Sequence, residues 1–331
     1  LDNIHFENNE NRLGNYELNG GGLYLNNSDI NIFNEIKFIN NTASKNGGGL
    51  YINNSNIENA TNIEFISNRA NQNGGGIYSI NSTLNFGGTF ITKIIDNEST
   101  VDGGGFYISS SIINGNYLEI NNNNSFLDGG AFFIGDEGEL YLSNSDIIGN
   151  NALEDGGAIN LNGYNTKLDL SNCNIFENRS ETSSILYTNN GEVKIKNTLI
   201  ENNNSFSYPG GILAKNSNIS LFNVTLTENK INNPEGGGNI NIEQYGNIFI
   251  INSIIWQNTG TELYLRPDGY PKSLLASHST IENGRDGIVN TFSDSVYYYT
   301  EFNNTEDPKF ISYAPARSVM VVPFLSQNGS I

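Results

Sequence analysis

This chain has little of what usually holds a compact domain together apart from packing. A single cysteine, Cys173, stands among 331 residues, which excludes an internal disulfide framework and a thiolate metal cluster. The two histidines, His5 and His278, lie far apart, and seven prolines are few for a chain with many turns. Lys and Arg together number 16 against 35 for Asp and Glu, a net charge of −19. Such a shortage of positive charge argues against binding to phosphate backbones or anionic lipid, so nucleic acid is not an expected partner. No apolar run approaches the ~18 residues of a membrane-spanning helix, and the opening LDNIHFENN lacks the regions of a signal peptide. The first residues enter partway into a repeat, and the expectation is a fragment or processed form of a longer product.

Asparagine is the commonest residue at 61, and glycine adds 36, which is turn chemistry without proline. Polar tracts of this kind are often disordered because they bury too little surface to offset chain entropy. Here Ile, Leu, Phe and Tyr return on a fixed period, and a period implies packing.

The period is set by a small-residue triplet: GGGLYL, GGGLYI, GGGIYS, GGGFYI, GGAFFI and GGAINL, with third residues Gly22, Gly49, Gly76, Gly105, Ala131 and Ala158. The series continues as SSILY at Ser184, GGIL at Gly211 and GGGN at Gly238, so the repeat is roughly 27 residues. A second motif places Asn three positions after an apolar residue, as in FENN, FINN, FISN, IIDN, IIGN, LTEN and IWQN, with Asn9, Asn41, Asn68, Asn97, Asn150, Asn229 and Asn258. Short alternating stretches such as DINIF and EIKFI lie between, and helical periodicity is nowhere evident. The expected fold is all-β: a single-stranded right-handed parallel β-helix of about ten coils with three short strands per coil. At about 4.8 Å per coil the rod is on the order of 50 Å long.

Triplets stop near residue 260. Residues 1–311 are read as the β-helix, with irregular final coils and a C-terminal cap from about 260 that protects the last strand edges. Residues 312–331 are read as a tail or linker to a further domain.

The paired GGA-type and FxxN motifs resemble the repeats of chlamydial polymorphic outer-membrane proteins over roughly residues 1–260. NSIIWQNTG and DPKF resemble the end of bacterial choice-of-anchor β-helix surface proteins. The resemblance implies a pectin-lyase-like fold and adhesion or display at an outer surface.

Alternation after the triplet puts Tyr24, Tyr51, Tyr78, Tyr107 and Phe133 in one outward column that ends at Asn160. Such a column is a possible stacking platform for sugar rings or a protein partner; alternatively the rings stack on one another. Before the glycines stand Asn19, Asn46, Asn73, Asp102, Asp128, Asp155 and, after a gap, Glu235. Asp102, Asp128 and Asp155 are candidate Ca²⁺ ligands, because stacked carboxylates repel unless a cation or amide hydrogen bonds compensate. A turn-capping role explains Asn and Asp alike, and no cofactor is otherwise expected. Lys194 and Lys196 alternate on one strand as solvent-facing residues do. Cys173 aligns with Ser145 as a small structural residue, and Trp256 sits where the repeat passes into the cap. Sequons at Asn40, Asn53 and Asn123 follow from the abundance of Asn.

No catalytic constellation emerges, and a polysaccharide-cleaving enzyme would call for a long inserted loop that is not evident. The leading expectation is therefore a non-enzymatic, extracellular or cell-surface solenoid, most naturally on a bacterial outer surface. It would act as adhesin, stalk or surface layer, with a host or neighbouring-cell protein or glycan as partner. The alternatives are a polysaccharide-binding or polysaccharide-degrading β-helix, and cargo of a bacterial secretion or outer-membrane machinery.

Overall fold

The computed structural model describes residues 1–11, 18–88, 90–207, 210–232, 238–290, 296–299 and 303–309. The chain forms an all-β parallel solenoid of about ten coils with about 27 residues per turn. In Leu50–Asn53, Ile77–Ile80 and Phe106–Ser109, buried and half-buried residues alternate strictly. That is the period of a strand with one dry face, and each strand finds its partners one coil away.

Three ladders carry the core. The first runs in register from Leu23 through Leu50, Ile77 and Phe106 to Ile288. The second stacks Ile57, Leu84, Ile113 and Leu140 and continues to Leu274. The third holds the apolar residue of the Asn motif, from Phe6 and Phe38 to Ile281. Inside, Phe6, Phe38 and Phe65 stack at centroid distances of 4.9 and 4.6 Å. Each fully buried Ile, Leu or Phe contributes about 1.5–3 kcal/mol relative to exposure, and these rows are the main source of stability.

A fourth ladder corrects the expectation of three strands per coil. Nine two-residue strands, among them Thr42–Ala43, Arg69–Ala70 and Glu98–Ser99, form their own parallel sheet just after the Asn motif. Two residues are too few to show alternation, so the sequence pattern misses them. This ladder explains the second glycine of each triplet. A Cβ on Gly48 would lie 2.3 Å from the Gly75 carbonyl oxygen and 2.6 Å from the Arg69 carbonyl carbon, because triplet and fourth ladder close the coil against each other. The first glycine serves the backbone instead, since Gly47 takes φ 69°, a left-handed turn that suits glycine.

Register shifts two assignments by one residue. Ile185 rather than Ser184 occupies the slot of Ala158, since Leu186 pairs with Ile159. Asn239 rather than Gly238 occupies that of Gly211, since Ile240 pairs with Ile212. Cys173 does align with Ser145, because Asn174 pairs with Asp146, and burial pushes its thiol up to about 11.

The Asn motif builds an oriented internal ladder. Asn68 donates from its backbone N–H (3.0 Å) and Nδ2 (2.9 Å) to Asn97 Oδ1, and from Nδ2 to the Phe38 carbonyl (2.8 Å). The same three bonds recur at Asn41, Asn97, Asn123, Asn150, Asn178, Asn203 and Asn229. The last link breaks the pattern usefully. Asn258 donates from Nδ2 to Glu262 Oε2 at 2.9 Å and from its backbone N–H to Oε1 at 3.4 Å, so a carboxyl, pushed up to about 8 by burial, closes the ladder.

Beyond residue 260 the coils become irregular, with a longer corner between Leu265 and Ser273 and a 3₁₀ turn at Gly284–Gly287. Of the YYYTEF segment only backbone is described, in the strand Val296–Tyr299. The tail expected at 312–331 and Glu235 lie outside the described residues.

Candidate functional site

Alternation along the first ladder sends Tyr24, Tyr51, Tyr78, Tyr107 and Phe133 outward into one column, as the sequence alternation implies. The rings stack face to face: 5.0 Å from Tyr24 to Tyr51, 5.1 Å to Tyr78, 4.7 Å to Tyr107 and 5.1 Å to Phe133, with interplanar angles of 1° to 11°. Within the row each ring covers its neighbour's face, so an incoming group meets ring edges and hydroxyls. Exposure falls along the column, from 51% at Tyr24 to 8% at Phe133. The column does not end at Asn160. It resumes at the buried Tyr187, over whose ring Lys215 Nζ lies 5.4 Å from the centroid. Burial raises the Tyr51, Tyr78 and Tyr107 hydroxyls and pushes Tyr187 up to about 12, so all stay protonated near neutrality.

The Asn and Asp column beside it caps the triplet turns. The backbone N–H of Asn46 donates to Asn19 Oδ1 (3.2 Å), that of Asn73 to Asn46 Oδ1 (3.1 Å), and that of Asp102 to Asn73 Oδ1 (3.1 Å). Asp128 and Asp155 continue the series, donating to Asp102 and Asp128 at 3.3 and 3.0 Å. Thr182 adds its hydroxyl to Asp155 Oδ1. Burial first, and then repulsion from Asp128, push Asp102 up to about 6 and Asp155 to about 7; burial also raises Asp128. The backbone N–H groups and the Thr182 hydroxyl supply the hydrogen bonds that the sequence offered as the alternative to a cation. Among the described residues no three His, Cys, Asp or Glu side chains are grouped to hold a metal ion.

The remaining residues that stand out in the sequence fall into place as scaffold or surface. Lys194 is exposed and Lys196 half-buried on the outer face of the second ladder, with Lys196 3.6 Å from Asp169. His5 and His278 are both exposed. Asn123 is buried in the Asn ladder, so its sequon is inaccessible in the folded chain.

A concavity that the sequence pattern does not announce opens at the corner between the first and second ladders. In volume it is about 480 Å³, and Glu137, Glu139, Lys167, Asn190, Glu192 and Asn216 are among its walls. A step in corner length creates it. The corner runs from Ile108 to Ile112, from Ile134 to Glu139 and from Leu161 to Lys167, growing by one residue at each coil. It then contracts to the span from Thr188 to Glu192, two residues shorter, with a register break between Asn162 and Thr166. The signal in the sequence was the short excess NGYNTK.

Glu139 and Lys167 form an ion pair at 2.7 Å within the cleft, and Tyr141 donates its hydroxyl to Glu139 at 2.7 Å. These bonds hold the Glu139 carboxyl below its ordinary range. Tyr164, 54% exposed, stands at the rim with its hydroxyl 3.4 Å from Glu137 Oε1. No protein-family model, curated protein or solved structure matches the chain.

Proposed function

We propose that the chain is a non-catalytic solenoid displayed at a cell surface, a stalk or adhesin-like rod whose repeat residues serve the rod itself. One observation carries this reading: the Asn ladder is continuous from Asn41 to Asn258, so its most conspicuous polar residues are spent on cohesion between coils. The stacked rings and the capping Asn and Asp column have the same character. The resemblance of the GGA and FxxN motifs to chlamydial polymorphic outer-membrane proteins and to choice-of-anchor surface proteins supports placing the rod outside the cell.

Two measurements test the proposal. Purified chain incubated with neutral and acidic polysaccharides is expected to release no reducing ends and no unsaturated uronate. Antibody against the chain is expected to label intact source cells and to lose its signal after mild external proteolysis. Steady turnover, or labelling only after cells are opened, would overturn it.

A further inference from the structure

We propose that the corner cleft is a binding site for an uncharged saccharide of one or two hexose units. This rests on the non-catalytic reading above and adds a ligand class to it.

The named walls combine amides, carboxylates and one ammonium group. Asn165, Thr166 and Asn218 complete this polar lining, which carries no apolar side chain to reward a hydrophobic ligand. Side-by-side donors and acceptors of this kind match the vicinal hydroxyls of a sugar. The Glu139 and Lys167 pair fixes an acceptor next to a donor at 2.7 Å. The amides of Asn165 and Asn190 stand on left-handed corner residues, at φ 54° and 63°, which carry them out on successive coils. Beside them, Tyr164 offers an exposed aromatic ring at the rim for the apolar face of a pyranose.

Charge narrows the class. Glu137, Glu139 and Glu192 against Lys167 leave the cleft with a formal charge of −2 near neutrality. A carboxylated saccharide is repelled, and a basic peptide serves as the probe for whether the negative charge alone, rather than the hydroxyl-matching lining, holds a ligand.

The test is titration of the full chain, followed by NMR or calorimetry, with cellotetraose, triacetylchitotriose, trigalacturonate and tetralysine. At least one of the two neutral saccharides is expected to saturate with a Kd on the order of 1 mM, and the two charged probes at least tenfold more weakly. Asn165→Gly and Asn190→Gly remove the amides while keeping a backbone suited to positive φ. Together with Tyr164→Ala they are expected to weaken binding at least fivefold with an unchanged melting temperature. If neither neutral saccharide binds up to about 20 mM, if a charged probe binds as well, or if the three variants bind like the parent chain, the inference fails. Cleavage of a bound neutral saccharide would instead overturn the non-catalytic reading and leave the site standing.

Discussion

At the scale of single residues, conformation accounts for the unusual composition. Asn supplies 18 of the 31 described non-glycine residues with positive φ, so its first role here is to turn corners. A buried Asn in the ladder has a second role that Asp cannot share, because its Nδ2 donates twice while Oδ1 accepts twice. In the triplet-capping column only acceptance is needed, and there Asp102, Asp128 and Asp155 stand in for Asn at a cost in burial and repulsion. The replacement has a pH signature. Asp102 and Asp155 rise from 3.8 to about 6 and about 7 in the folded chain. A raised folded pKa gives stability that is complete below the unfolded value and lost as pH climbs through the folded one. Melting temperature is therefore expected to fall between about pH 4 and pH 7, with the buried Glu262, pushed up to about 8, extending the fall, and Asp155→Asn should flatten the part below pH 7 and raise the melting point above it. A melting temperature that climbs over this interval would contradict burial and repulsion as the cause.

Among the elements, the Asn ladder and the fourth ladder define the coil more tightly than the apolar rows alone. Asn150 donates to Asn178 Oδ1 at 3.0 Å and to the Ile120 carbonyl at 2.9 Å while accepting two bonds from Asn123. Asn150→Asp keeps the acceptance and turns both donations into oxygen–oxygen contacts in a dry interior. The expected cost is about 4 kcal/mol near neutrality, shrinking in acid as the carboxyl regains a proton, as read by urea unfolding at two pH values. Glu262→Gln at the ladder's end replaces a carboxyl that burial holds neutral by a neutral amide, keeps an oxygen for Asn258 Nδ2 and is expected to change stability by less than about 1 kcal/mol near neutrality. Similar losses for the two variants would mean that position along the ladder does not matter.

On the scale of the whole molecule, each coil touches only its neighbours, so stability is a sum of coil terms and interfaces between coils. A weak coil in the middle divides such a rod. Asn150→Asp is expected to give two calorimetric transitions where the parent chain is expected to give one, whereas a lesion at an end only broadens it. The same near-repetition explains why a cleft arises from so small a cause. Where the corner shortens by two residues from one coil to the next, a step is left beside it.

Much of this was legible in the residues. The triplet and the FxxN motif determined an all-β parallel solenoid, its period, the outward aromatic column and the alignment of Cys173 with Ser145, because each depends on spacing along one chain. What the residues could not decide depends on neighbours one coil away. Whether the tyrosines offer their faces or cover one another is set by a stacking distance near 5 Å. The two-residue ladder is too short to carry a pattern, and the slots of Ile185 and Asn239 were fixed by pairing rather than by motif. The cleft exists only where corners of unequal length lie side by side. A repeat specifies its own stacking, while its surface is written in the departures from the repeat, and those acquire meaning only when the coils are laid against each other.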